Sequence, residues 1–171
     1  MRRLLRTPLL TALAFVLLVP LAASAQTDAL AADLEKDWLA QKARILALAE
    51  AMPEDKYSFK ATEAQRTFGE QLAHLAQAHV KMLQNVDTGR TVPLPTLGED
   101  HSKAATLKML EAAYDYGAAV LKANASRLLD AQKGATPART FWAAMGNAQN
   151  HYGQSVVYLR LNGIVPPASR R

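Results

Sequence analysis

Apolar residues recur at three- and four-residue intervals through most of the chain beyond Gln26, the period of amphipathic helices. Leu34, Trp38, Ile45, Leu48 and Met52 form one stripe that Pro53 ends, which predicts a first helix from about Asp28 with Thr27 as its cap. A second stripe, Phe68, Leu72, Leu75, His79, Met82 and Val86, predicts a helix reaching about Val86. The pattern Thr62-Glu63-Ala64-Gln65 reads as a capping box and places its start near Thr62. Leu107, Leu110, Tyr114, Gly117, Leu121 and Leu128 predict a third helix from about Ser102 to Gly134. The fourth opens at Thr136-Pro137, a cap followed by proline at the first helical position. It carries Phe141, Met145, Ala148, Tyr152 and Leu159, and stops at Asn162-Gly163 before two prolines.

The connections differ in character. Residues 56–59 hold two aromatics, Tyr57 and Phe59, expected to cover one end of the core. Residues 87–101 contain Gly89, Pro93, Pro95 and Gly98 with no sustained period, a long linker expected to cross the bundle or border an opening. There is no internal repeat, low-complexity tract or strand-like alternation. The fold class is therefore all-α, a four-helix bundle.

The first 25 residues have a different pattern. Arg2, Arg3 and Arg6 precede an apolar run from Leu9 to Ala22, and Ala23-Ser24-Ala25 supplies a small-x-small cleavage site before Gln26. This predicts a signal peptide over residues 1–25 and one domain over residues 26–171, exported to the periplasm or secreted. A retained N-terminal anchor is the alternative, although the run is shorter than the roughly 20 residues of a spanning helix and no second such segment follows.

Composition narrows the picture further. The formal charge of +5 falls to +2 when the three arginines leave with the signal, so the basic balance does not indicate nucleic-acid binding. The chain has no cysteine, which excludes disulfides, thiolate ligands and a cysteine nucleophile. No phosphate-binding loop or nucleophile elbow is present.

Chemistry then rests on the histidines. His79 lies in the middle of the second stripe and reads as a packed structural residue, whereas His74 lies to one side among Glu70, Gln71, Gln77 and Ala78. On the fourth helix Asn147, His151 and Ser155 flank the stripe beside Ala144 and Ala148, small neighbours that admit another helix or a ligand. An antiparallel pairing of these helices permits His74 and His151 to meet. His101 stands in the linker, where solvation or capping is the default. Tyr152 and Tyr158 read as core aromatics with a polar tip, the alternative being donation to a ligand.

The segments from Met52 to Phe59, Arg66 to Ala76, His151 to Gln154 and Tyr158 to Pro167 together resemble secreted members of the DinB family of metal-binding four-helix bundles. The resemblance covers essentially the whole chain after the signal. It implies a metal triad of one histidine on the second helix and two groups four residues apart on the fourth, which fall here on His74, Asn147 and His151. Asn147 departs from the pattern, since that position usually carries His, or Glu in some relatives. An amide oxygen is a weaker ligand for a divalent ion than imidazole or carboxylate, so the departure lowers the expected affinity and leaves catalysis open. Glu70, one turn before His74, is an alternative third ligand or a partner for His74, against the plain reading of a solvated acid.

Two functions follow from the resemblance. One is an exported protein holding zinc or nickel between helices two and four, a metal-dependent hydrolase or thiol transferase if catalytic. The other is a non-catalytic bundle for an unidentified small molecule, its metal site degenerate. Neither involves nucleic acid or an integral membrane segment after signal cleavage, and the flat faces of such a bundle permit a homodimer.

Overall fold

The computed structural model describes the backbone of residues 8–170 and the side chains of residues 26–170; the basic start of the expected signal peptide lies outside the described residues. Four α-helices carry the fold, α1 (Pro8–Ala51), α2 (Phe68–Leu83), α3 (Lys103–Ala123) and α4 (Pro137–Leu161). Among the described residues there is no strand beyond one isolated bridge between Lys60 and Thr67. None of their helices is long and apolar enough to cross a membrane.

Each of α1 and α2 packs against both α3 and α4. The cross-contacts give the directions. Trp38 meets Tyr114, and Glu50 meets Lys103, so α1 and α3 are antiparallel. Gln41 and Arg44 of α1 reach Met145 and Tyr152, so α1 and α4 are parallel. Gly69 and His101 meet at the starts of α2 and α3, while Leu83 and Gly117 meet further along, so these two are parallel as well. The order is up, down, down, up. Two parallel neighbours need a connection as long as the bundle, which is why residues 84–102 form an extended crossover rather than a tight turn.

Trp38 is the centre of the core. It is fully buried, donates its indole N–H to the Tyr114 carbonyl at 2.9 Å, and packs on the rings of His79, Tyr114 and Phe141 at 5.0, 4.9 and 5.4 Å. Gly117 gives the indole its room, because a Cβ there would stand 2.2 Å from the Trp38 ring. At one end Tyr57 packs edge-on against Phe68 and donates to the Ala49 carbonyl at 2.8 Å. Phe59 meets Tyr158, so residues 56–59 cover the core end as their aromatics predict.

Several expected boundaries are corrected. α1 does not begin at Asp28, since the Ala-rich stretch around Thr27 contains no helix breaker and the helix is continuous back to Pro8. The expected cleavage site before Gln26 therefore falls inside α1. α2 begins not at Thr62 but at Thr67, where Thr67 and Glu70 form a reciprocal capping box. The Phe59 and Tyr57 carbonyls also take the Phe68 and Gly69 N–H groups, fixing the start there, and residues 62–65 form only a turn. α3 stops at Ala123 rather than Gly134 because the buried Asn124 turns its amide back onto the Val120 carbonyl at 3.0 Å. Leu128 still reaches the core, now from beyond a short 3-10 turn.

Candidate functional site between the second and fourth helices

The buried face of α4 is rotated from the expected stripe. Ala144, Ala148, His151, Ser155 and Tyr158 point inward, while Met145 and Tyr152 are only half-buried and Tyr152 lies under the Arg44 guanidinium at 4.7 Å. The groups read as a flank are thus part of the α2 interface. Its register is explicit. Tyr158 donates to the Arg66 carbonyl at 2.7 Å, Gln71 donates to the Gln154 side-chain oxygen at 2.5 Å, and His79 Nε2 donates to the Ala144 carbonyl at 3.2 Å. Each step forward on α2 matches a step back on α4, the mark of an antiparallel pair.

Between these contacts the seam brings His74 and His151 together, ring centroids 5.4 Å apart and planes tilted by 48°. His151 is 5% exposed and His74 half-buried. Burial lowers the affinity of both rings for a proton, and for His151 the neighbouring His74 and Arg66 add to this. Neutral imidazoles keep a lone pair for a ligand. Asn147 sits one turn before His151 and Ser155 one turn after, on the same face. Asn147 Oδ1, His151 Nδ1 and Ser155 Oγ are all buried without a hydrogen-bond partner. Buried polar atoms ordinarily have partners, so three orphans stacked on one helix face mark a place fitted to a polar guest.

The donor set can be tested against a metal. Two imidazoles on one tetrahedral ion at metal–nitrogen distances of about 2.0–2.1 Å would hold their ring centroids roughly 5 Å apart, close to the separation seen. An orphaned Asn147 oxygen on the same seam is a third, weak donor. No group of three His, Cys, Asp or Glu suited to a metal occurs among the described residues, so the set has two strong ligands.

Glu70 is not the missing one. Its carboxylate accepts the Thr67 backbone N–H at 2.7 Å, and that bond, first among the causes, holds its pKa below the usual carboxylate range. His79 is confirmed as structural. It lies in the Trp38 and Tyr114 rings, wholly buried, and burial pushes its pKa down to about 4. His101 places its carbonyl against Gly69, where a Cβ would stand 2.2 Å away, and so locks the starts of α2 and α3 together.

Sequence reasoning did not single out the Gln71–Gln154 pair. The signal was available in spacing, since Gln71 is three residues before His74 and Gln154 three after His151, adjacent positions in an antiparallel seam. Gln154 is oriented by a further bond to the Asn150 side-chain oxygen at 3.1 Å. Beyond the pair lies an open polar cleft of about 500 Å³ that also takes in Lys60, Arg66 and Tyr158.

Fold and site together define a helical bundle with a polar, histidine-bearing seam between two antiparallel helices. Residues 37–158 match the family model of the DinB superfamily, and the chain belongs to that superfamily. No curated protein matches the chain.

Proposed function

We propose that this is an exported DinB-superfamily protein that binds a divalent metal, zinc or nickel, through His74, His151 and Asn147. The observation that carries the reading is the approach of the two rings to 5.4 Å beside the orphaned Asn147 oxygen. His74 and His151 supply the strong bonds, and Asn147 supplies a weak one or orients a water. A metal held this way would supply Lewis-acid chemistry to a bound water or thiol, the basis of a hydrolase or transferase activity. The chain's own contribution is rigidity: the hydrogen bonds from Gln71 and Tyr158 hold α2 and α4 in register beside the rings, so the rings are placed before any ligand arrives.

The amide at position 147 favours a second reading, a non-catalytic bundle that holds a small molecule on the same seam. The metal content of the protein recovered from the exported fraction without a histidine tag separates the two. The first reading predicts bound zinc or nickel that is lost in His74→Ala. Metal-free protein that takes up neither ion on titration overturns it. The intact mass of the same sample tests export, a chain starting at Gln26 being the expected result.

A further inference from the structure

The cleft next to the histidine seam contains a cation with no partner. Arg66 is exposed, and among the described residues its guanidinium enters no ion pair or side-chain hydrogen bond. Its backbone is nevertheless fixed at the rim of the cleft, because Tyr158, 3% exposed, donates to its carbonyl at 2.7 Å. It lines the same cleft as Lys60, Gln71 and Gln154. Two acids, Glu63 and Glu70, also reach it. Glu70 is committed to the α2 cap and Glu63 makes no ion pair with Arg66, which leaves the guanidinium fork open to an outside carboxylate.

The distances set the size of what would fit. Arg66 stands two residues before Phe68 and His74 six residues beyond it, so the part of α2 between them rises roughly 9 Å, and the Gln71–Gln154 pair at the edge of the cleft falls in register between Arg66–Tyr158 and His74–His151. An extended chain of about two peptide units covers that span. The paired amides offer both donor and acceptor to a peptide group passing over them.

We propose that the cleft selects small peptide-like carboxylates, Arg66 holding the carboxylate, Gln71 and Gln154 the amide, and the far end of the molecule lying at His74 and His151. This rests on the seam being the functional centre and adds the class of molecule it receives. Arg66 is a specificity residue in this scheme, and it takes no part in holding metal.

The test uses N-acetylglycylglycine and its carboxamide, which differ only in the terminal carboxylate, titrated into the protein with binding followed by amide NMR shifts. The carboxylate is expected to bind about tenfold more tightly than the carboxamide and to shift Gln71, Gln154 and residues around His151. Arg66→Gln should erase that preference and Arg66→Lys, which keeps the charge beside the rings, should keep part of it with zinc affinity unchanged. Equal affinity for the two peptides, or binding of neither up to about 10 mM, overturns the proposal. Repeating the titration in His74→Ala separates the two ideas. A preference that survives there beside a wild type that binds no zinc leaves the cleft in place and removes the metal reading. A wild type that binds zinc without any carboxylate preference does the reverse.

Discussion

His74 and His79 stand five residues apart on one helix and behave as opposites. His79 is sealed in aromatic rings with one nitrogen on the Ala144 carbonyl, whereas His74 opens toward His151. Replacing His79 with Ala removes a packed ring and is expected to cost about 3 kcal/mol in thermal or urea unfolding while leaving metal affinity intact. His74→Ala is expected to do the reverse. The helical stripe alone made this separation legible, because a residue at the centre of an apolar face is packed and one at its edge is available.

The same ring predicts a pH dependence. With a folded pKa of about 4 against an ordinary value near 6.5, His79 stays neutral in the fold and takes a proton more readily when unfolded. Stability is therefore full above about pH 6.5 and falls as pH drops toward 4, by up to about 3 kcal/mol. His74 and His151, also lowered, act in the same direction. Urea midpoints measured from pH 7.5 to 4.5 should fall in the wild type and fall less in His79→Gln. Parallel curves for the two would contradict the assignment.

At the scale of the element, the start of α2 is the instructive case. Two capping patterns stand five residues apart in the sequence, and local chemistry does not choose between them. The choice is tertiary: the Phe59 and Tyr57 carbonyls accept the N–H groups of Phe68 and Gly69, which sets the first turn after Thr67. Thr67→Ala should cost about 1 kcal/mol, while Thr62→Ala should stay within about 0.5 kcal/mol, both read from thermal melts. Gly117 offers a second case. Its place on the α3 stripe was legible, but its reason was not, since only the structure puts the Trp38 ring against it. Gly117→Ala is expected to destabilise by about 1–3 kcal/mol through that clash, despite the better helix propensity of alanine.

At the scale of the molecule, period and length identified four helices, and the long linker signalled a crossover. The directions of the helices were not readable, because they depend on which stripes meet. Nor was the rotation of α4, which turns on small residues: Ala144, Ala148 and Ser155 let α2 approach so closely that His151 moves from the flank into the interface. The seam therefore joins His74 to His151 as the family resemblance implied, and adds the glutamine pair and the cleft that it did not.

The central claim is that this seam is built for a metal and that Asn147 limits its affinity. Zinc titration of the wild type beside Asn147→His tests it most directly. The account predicts binding in the wild type that tightens by about tenfold or more when the third ligand becomes an imidazole, and that disappears in His151→Ala. Equal zinc affinity in the wild type and Asn147→His, or binding that survives the loss of His151, would contradict it.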